Sequence, residues 1–405
     1  MATNAEARER RAAAAIVASA LLVIGIGTTW ERARATSRAF NESGDTVLAR
    51  VPARAKDALA VEREGLRAGL RGASADRATA VRLARLDIAT ARERADPRYL
   101  GRAEGELAPW WNLAEPPSDV RLLRATIRQS RHEFAPALED LDRLVALSPR
   151  EPQAWLTRAS VLTVRGRYAE ALESCEALAG LTPPFVPAAC RAPALGVTGH
   201  LAEAAEALAG VVGQAHTLAE AIWGRAVLAD LARWSGDARG AEALLRATLA
   251  IAPNEGQTRA TLADLLLDEG RGPEVAALVA GREEDDGLLL RKALAVARAT
   301  PPSGANAVTE MAARFAASRL RGDRVHLREE ARFALATEQN PARALALARE
   351  NWQVQCEPDD ARVLLEAALA TGDARTAAPV LLWLTETRME WRRLHELAAA
   401  LRGHA

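Results

Sequence analysis

The sequence predicts an all-α protein, an α-solenoid of helix-turn-helix repeats behind an apolar N-terminal segment. The first observation is a period, since Ala125 and Phe134 recur 34 residues later as Ala159 and Tyr168. The second is composition, because Ala, Leu and Arg dominate and aromatic residues make up only 4% of the chain, as helices favour. A unit that cannot bury its apolar face alone must stack on its neighbours, so the period predicts one long repeat domain.

The N-terminal segment has the features of a membrane-targeting signal. Basic residues 1–11 precede an uncharged run at 12–30, which is close to the length of about 20 residues that a spanning helix needs. Three interpretations stay open: an uncleaved transmembrane anchor, a signal peptide cleaved near residues 33–35, and a buried apolar helix. The short basic N-terminus favours a single span in the inner membrane with the repeats in the periplasm. Cleavage would instead leave a periplasmic or secreted protein.

The remaining chain is predicted to contain three parts. Breaker residues at 41–45 mark residues 31–75 as a tether followed by a first helix. Residues 76–390 form the repeat solenoid, with about nine helix pairs, and the first pair turns at residues 95–97. Residues 391–405 then form a C-terminal capping helix.

The best-formed unit runs from Pro152 to Pro183. Trp155 and the small Ala159 lie on its first helix, Gly166 ends that helix, and Tyr168 begins the second. This order of residues resembles the tetratricopeptide repeat, a family of paired antiparallel helices with a 34-residue period. The resemblance covers most of the chain after the tether, and it implies an adaptor that holds a protein partner. Together with the N-terminal segment, it predicts a membrane-anchored or exported bacterial protein of this family.

The turn glycine recurs along the chain with some substitutions. It is found at Gly199, Gly236, Gly270 and Gly372. In the unit before Gly166, however, His132 replaces it. Gln339 stands at the position one period before Gly372. The register of the repeats is therefore predicted to persist to the C-terminus.

The candidate catalytic and cofactor-binding motifs each lack a residue that their chemistry requires. A nucleotide-binding P-loop needs a lysine after glycine, but Lys56 follows alanine and Lys292 follows arginine. The zincin-like strings at His132 and His395 lack the second histidine that would ligate zinc. The 53 basic and 53 acidic residues cancel, which leaves no field of one sign for nucleic acid. We predict no enzyme activity, no metal, no cofactor and no nucleic-acid partner.

The concave groove is the candidate binding site that the resemblance implies. In this family the first helix of each pair lines it. The positions in register are Leu122, Thr126, Gln129, Leu156, Ser160, Thr163, Trp223, Asp230, Arg233, Ala260 and Asp264. Apolar, hydroxyl and aromatic residues favour a peptide or a helix of a partner protein, although any one of them could be plain solvated surface.

The three cysteines leave at least one thiol unpaired. Cys175 and Cys190 lie on helices that pack together in such stacks, so a disulfide between them is possible in an exported protein. The alternative is that both are small buried apolar residues. Cys356 is predicted to be a packing residue.

These features predict a non-catalytic protein–protein interaction scaffold of the bacterial cell envelope. Its partners would be a protein of unknown identity and the membrane, through the N-terminal segment. The alternative is a membrane-tethered adaptor that faces the cytoplasm and presents clients to a separate enzyme. A third class, a hydrolase or transferase with a site between repeats, lacks a recognisable nucleophile, metal set or cofactor loop.

Overall fold

Helices account for nearly all of the described chain. A computed structural model describes residues 58–72, 76–94, 96–298 and 305–403, and all but one of these residues belong to a compact unit, Leu59–Ala405. The first helices are α1 Ala58–Gly72, α2 Arg77–Arg94, α3 Arg98–Glu106, α4 Ala108–Trp111, α5 Ser118–Ser130, α6 Phe134–Leu147, α7 Pro152–Val164, α8 Tyr168–Glu176, α9 Phe185–Val197 and α10 Leu201–Ala209.

The second half continues the same alternation of helices. Its members are α11 Leu218–Ser235, α12 Ala238–Ile251, α13 Gly256–Asp268, α14 Gly272–Val279, α15 Asp286–Ala297, α16 Ala305–Leu320, α17 Leu327–Ala336, α18 Pro341–Val354, α19 Pro358–Thr371, α20 Ala378–Thr387 and α21 Arg392–Gly403. Apart from α1, the short α4 and the final α21, they group into nine successive pairs within the described ranges. The predicted all-α repeat architecture is confirmed at this level.

In seven of the nine pairs, the turn between the two helices contains a residue in the left-handed backbone region. Glycine supplies it at Gly166 and Gly199, with φ angles of 72° and 79°, because it has no Cβ to clash there. His132 and Gln339 take the same conformation, with φ angles of 59° and 50°. The two substitutions noted in the sequence therefore keep the turn geometry, and the ring of His132 stacks on Phe134.

Small residues let neighbouring helices approach closely. Gly224 of α11 lies against the ring of Phe185 on α9, and a Cβ placed on Gly224 would come within 2.8 Å of the Cε2 atom of Phe185. Phe185 is only 1% exposed and has little room to move. The close packing of α9 against α11 thus depends on glycine at position 224, which has no side chain.

We expect Gly224→Ala to lower the free energy of unfolding by about 1–3 kcal/mol, because the added methyl overpacks the contact with Phe185. The matched control is Gly105→Ala in α3, where a Cβ meets nothing within 4 Å. This control substitution should be neutral or stabilising, because alanine has a higher helix propensity than glycine. Urea denaturation followed by circular dichroism measures both, and equal effects would refute the assigned contact.

The C-terminal repeats return to contact the third repeat. The backbone N–H of Cys356 donates to the carbonyl of Val164 at 2.8 Å, and Arg165 donates to the carbonyl of Gln353 at 2.8 Å. The hydroxyl of Tyr168 donates to the carbonyl of Cys356 at 3.2 Å and accepts from Trp383 Nε1 at 2.9 Å. These bonds join residues 188 to 215 positions apart and close the stack of repeats on itself.

An apolar core supports this closure. Leu162 of α7 and Phe185 of α9 belong to the same buried cluster as Val363 of α19, Trp383 of α20 and Leu394 of α21. Burial of apolar side chains is the main favourable term in folding, so the closure is an integral part of the fold. The predicted capping helix, α21, contributes directly to it.

The predicted membrane segment at 12–30 and most of the tether at 31–75 lie outside the described residues. Of the tether, α1 is described, and its Arg67 pairs with the buried Asp87 of α2 at 2.8 Å. Among the helices of the described ranges, none combines the length and apolar character needed to cross a membrane. The anchor therefore stays a prediction.

Candidate functional site

The first helices of seven consecutive repeats, α7 to α19, surround a cavity of about 580 Å³. Several of these helices contribute lining residues that are three, four or seven positions apart in the sequence. This is the spacing of residues on one face of a helix. On α7 these are Leu156, Ser160 and Thr163, and on α13 they include Thr261 and Asp264. The site is thus an inner surface made by repetition of one helix face, and the closing C-terminal repeats form one side of it.

The cavity has two chemically different walls. The wall formed by α7, α9 and the start of α11 is apolar and hydroxyl-bearing, and includes Leu156, Pro193 and Trp223. The wall formed by α13 to α19 is charged. Its lining residues include Asp264, Arg291, Arg298, Arg328, Arg332, Glu357, Asp359, Arg362 and Glu366. On α15 and α17 the charged lining residues are all arginines.

An ion pair of Arg233 with Asp359 crosses between α11 and α19. The guanidinium donates to both carboxylate oxygens, at 2.9 and 2.7 Å, and this forked geometry is the strongest form of such a pair. A third bond reaches Asp230 at 3.3 Å, and the Arg233 guanidinium carbon lies 4.9 Å from the ring centre of Trp391. Arg233 therefore ties the fifth repeat to the last one.

Three further ion pairs connect α13 to later repeats. Asp264 accepts from Arg291 of α15 at 2.6 Å and from Arg332 of α17 at 2.7 Å. Asp268 accepts from Arg362 of α19 through two bonds, both of 2.6 Å. The charged wall is consequently a connected network that fixes the positions of its arginines.

The environment shifts the carboxyl pKa values in opposite directions. Burial raises the pKa of Asp230 to about 6, although Arg233 works against the rise. Burial alone would also raise the pKa of Asp264, but Arg291 and Arg332 hold it well below its usual range. The side chain of Asp359 is 37% exposed; desolvation in the cavity would raise its pKa, but Arg233 keeps that pKa well below the usual range. Of these three carboxyls, Asp230 is thus the one whose pKa lies above its ordinary value, and its side chain is 40% exposed.

We expect Asp230→Asn to stabilise the protein at pH 8 and to have little effect at pH 4. The folded-state pKa of Asp230, about 6, lies above its ordinary value of 3.8. The ionised carboxylate therefore costs stability above pH 6, and the cost disappears as pH falls below 4. Thermal midpoints of both proteins across this range measure the difference. A difference that does not change with pH would contradict the assignment, and Asp142→Asn, at an exposed carboxylate, is the control.

Seven of the eleven predicted groove residues line the cavity. They are Leu156, Ser160, Thr163, Trp223, Asp230, Arg233 and Asp264. Trp234, which is adjacent to Arg233, lines it as well. Positions that share the groove register of the Pro152–Pro183 unit thus line the cavity from α7, α11 and α13.

The other four predicted positions do not reach the cavity, which corrects the prediction. Leu122, Thr126 and Ala260 are buried, and Gln129 donates to Ser160 Oγ at 3.1 Å. Leu122 shares its apolar cluster with residues of α17 and α18. The closing repeats are therefore part of the core to which Leu122 belongs, and this long-range closure is not visible in the sequence of α5.

Sequence reasoning missed the arginines of α15, α17 and α19. Arg328, Arg332 and Leu335 repeat at intervals of four and three, the same face spacing as Leu156, Ser160 and Thr163. Extending the groove register past α13 could have identified them, but the turn signals weaken there and Gln339 replaces the expected glycine. Ion pairs fix the positions of these arginines in the cavity wall, as they fix Arg233. They are therefore candidate ligand-binding residues in the same way as Arg233.

Cys175 and Cys190 form a disulfide that joins α8 to α9, with 5.6 Å between their Cα atoms. Cys190 also lines the cavity, as does the free Cys356. Burial raises the pKa of the Cys356 thiol to about 11, so it is protonated at neutral pH and a poor nucleophile. Across the described ranges, no cluster of His, Cys, Asp and Glu has an arrangement that could hold a metal ion.

The helix pairs define an α-solenoid of tetratricopeptide-like repeats. Solved structures with a similar fold include TTC0263, a thermophilic TPR protein of Thermus thermophilus (21% identity over 46% of this chain and 97% of that one, TM-score 0.38). A tetratricopeptide repeat protein from Parabacteroides merdae is 14% identical over 70% of this chain and 98% of that one, with a TM-score of 0.37. Rap protein, solved in complex with Competence and Sporulation Factor, is 13% identical over 85% of this chain and 94% of that one, with a TM-score of 0.48.

Two of these three are tetratricopeptide repeat proteins, the family that the sequence pattern resembles. All three TM-scores lie below 0.5, so nothing about ligands or partners is taken from these proteins. No protein-family model matches the chain, and no curated protein matches it.

Proposed function

We propose that this chain is a non-catalytic interaction scaffold that takes a short, extended peptide segment of a partner protein into its cavity. The observation that carries the proposal is the cavity itself, about 580 Å³ in volume and lined mostly by the inner faces of seven first helices. Its lining offers apolar, hydroxyl and charged groups of both signs, which suit a peptide backbone and mixed side chains.

The size of the cavity favours an extended segment over a helix. A helix with its side chains is about 10–12 Å wide and rises 5.4 Å per turn, so a helix of several turns needs an open groove of that width along its whole length. The C-terminal repeats also cover the groove that a longer helix would need, as the bonds from Tyr168 to Cys356 and Trp383 illustrate. Of the two ligand classes expected from the sequence, the peptide is therefore the better match.

We further propose that the repeats lie in the periplasm, behind an anchor at residues 12–30. The disulfide between Cys175 and Cys190 supports this location, because disulfides persist in oxidising compartments and are rare in the cytosol. The alternative, an adaptor that faces the cytoplasm, would keep these thiols reduced. Reporters fused behind Ala405, one active only after export and one active only in cytoplasm, distinguish the two locations.

Site-specific photocrosslinking in living cells tests the peptide proposal. A photoreactive amino acid replaces Thr261 inside the cavity, and a matched variant carries it at Leu382, which is 59% exposed. We expect the variant at 261 to crosslink one protein that the variant at 382 does not capture. Digestion of that product should show the crosslink within a short segment of the partner. The same products from both positions, or none from the cavity, would refute the proposal.

A further inference from the structure

The indole of Trp234 carries an N–H group without a hydrogen-bond partner. Trp234 lines the cavity and is 7% exposed, and its Nε1 has no acceptor among the described residues. By contrast, Nε1 of Trp155 donates to the carbonyl of Pro149 at 2.9 Å, and Nε1 of Trp383 donates to the hydroxyl of Tyr168. Buried donors in folded proteins nearly always have a partner, so the N–H of Trp234 is suited to an acceptor that a ligand brings.

Packing against α9 sets the direction of this N–H group. A Cβ placed on Gly196 of α9 would lie 3.2 Å from Cζ3 of Trp234, so the six-membered ring sits closely on the backbone of α9. Cζ3 is the indole ring atom farthest from Nε1, and the N–H edge therefore faces away from Gly196. Pro193 and Val197 of the same helix line the cavity. The N–H of Trp234 thus points away from α9, toward the space that these two residues border.

Asp230 supplies an acceptor next to this donor. It lies four residues before Trp234 on α11, and residues four apart are neighbours on one helix face, with about 5–6 Å between their Cβ atoms. Its carboxylate accepts from Arg233 at 3.3 Å, and its side chain is 40% exposed and lines the cavity. A carboxylate has about four lone-pair sites, so acceptor sites remain. Together, the two side chains present a donor and an acceptor side by side.

The charged groups of the cavity neutralise one another. Of the six lining arginines, all but Arg298 donate to a carboxylate, and Arg298 donates to the carbonyl of Leu267 at 2.8 Å. Each of the five lining carboxylates accepts from an arginine; they are those of Asp230, Asp264, Glu357, Asp359 and Glu366. Asp268 is a further partner of Arg362. A charged ligand group would therefore be buried without a counter-charge, which is costly, and an uncharged segment is favoured.

We propose that the cavity holds an uncharged amide of the peptide between the indole N–H of Trp234, as donor, and the carboxylate of Asp230, as acceptor. This inference rests on the proposed peptide-binding function and adds the chemistry of the bound segment. The amide comes from one of two sources. In the main chain, the C=O and N–H of one residue of an extended segment point the same way, and an Asn or Gln side chain offers both groups in one plane.

Four pools of random tetrapeptides with acetylated N-termini and amidated C-termini, offered to the immobilised full chain, test the inference. The buffer is at pH 8, above the pKa of Asp230 of about 6, so that its carboxylate is ionised. The first pool contains uncharged residues other than Asn and Gln, and the second contains the same residues with N-methylated central amides. The third adds one Gln to the second, and the fourth adds one Glu to the first.

Mass spectrometry measures the fraction of each pool that is retained. We expect the first or the third pool to be retained about three- to tenfold more than the second and the fourth, which is the effect of one or two hydrogen bonds. Retention of the first pool identifies a main-chain amide, and retention of the third alone identifies a side-chain amide.

An isosteric replacement localises the bond. The analogue 3-benzothienylalanine, which has sulfur in place of the indole N–H, is incorporated at position 234. Position 155 is the matched control, because Trp155 lies outside the cavity lining and its N–H is bonded to Pro149. The replacement at 234 should reduce retention of the preferred pool about three- to tenfold, and the replacement at 155 should leave it unchanged. The thermal midpoint should stay or rise at 234, where an unpaired donor is removed, and fall at 155, where a bond is lost.

Equal retention of all four pools, or of the preferred pool by the unaltered chain and the position-234 replacement, overturns the amide assignment and leaves peptide binding in place. The N–H of Trp234 would then bond only to water. Highest retention of the Glu pool overturns the assignment in the same way, and retention of no pool overturns both proposals. The comparison of pools on the unaltered chain does not depend on whether a replacement folds.

Discussion

Asp140→Ala should lower the free energy of unfolding by about 3–5 kcal/mol. The carboxylate is 3% exposed and accepts from Arg124 at 2.8 Å and from Arg128 at 2.8 Å, with Arg121 3.7 Å away. Its removal leaves several arginines without their counter-charge. Breaking a buried pair from one side is costly because the remaining charge is uncompensated.

The control for Asp140 is its near neighbour on the same helix, Asp142. Its side chain is 51% exposed and pairs with Arg158 at 2.6 Å, and exposed pairs contribute about 0–1 kcal/mol. Asp142→Ala should therefore change stability by less than about 1 kcal/mol. Urea denaturation followed by circular dichroism compares the two, and similar losses would show that the Asp140 network does not support the second repeat.

Trp383→Ala should cost about 3–5 kcal/mol, because it opens a cavity in the core that closes the repeat stack. The indole is 8% exposed, packs edge-on against Trp352 with 5.5 Å between ring centres, and donates to the hydroxyl of Tyr168. The same measurement on Leu382→Ala, whose side chain is 59% exposed, should show a change within about 0.5 kcal/mol.

A double-mutant cycle separates the hydrogen bond of Trp383 from its packing. Tyr168→Phe removes the hydroxyl that accepts from the indole and donates to the carbonyl of Cys356. If Trp383 and Tyr168 stabilise the closure together, the two losses should be non-additive by about 0.5–3 kcal/mol. Additive losses would show that the third repeat and the last pair are energetically independent.

Local features of the repeats could be predicted from the sequence. Gly166 and Gly199 mark turns because only glycine enters the left-handed region at no steric cost. His132 and Gln339 were identified as substitutions at the same place, and both adopt the glycine-like conformation. Such turns are set by residues within a few positions of each other, which is the range over which sequence patterns are informative.

The closure of the stack could not be predicted in this way. Tyr168 and Trp383 are 215 positions apart, and neither has a neighbour that signals the other. Leu122 was placed in the groove because the register of α5 matches that of α7, but it is buried in a core shared with the closing repeats. Arg332 was missed for the related reason that its role follows from its pairing with Asp264, 68 positions earlier.

A disulfide cross-link between the third repeat and the segment before α19 tests the closure most directly. A Cβ placed on Gly166 lies 3.6 Å from the Cβ of Cys356, within the range of about 3.5–4.5 Å that disulfides require. Gly166→Cys carries the strain of a positive φ, and Gly236→Cys is a matched control, since it has a φ of 89° but nothing within 4 Å of its Cβ.

The measurement is peptide mapping of both variants after mild oxidation. If the stack is closed, the Gly166→Cys protein yields a bridge from residue 166 to Cys356 in high yield, whereas Cys356 of the Gly236→Cys protein is alkylated once the oxidised protein is denatured. If Cys356 is alkylated to the same extent in both variants, the repeats do not close and the enclosed cavity does not exist.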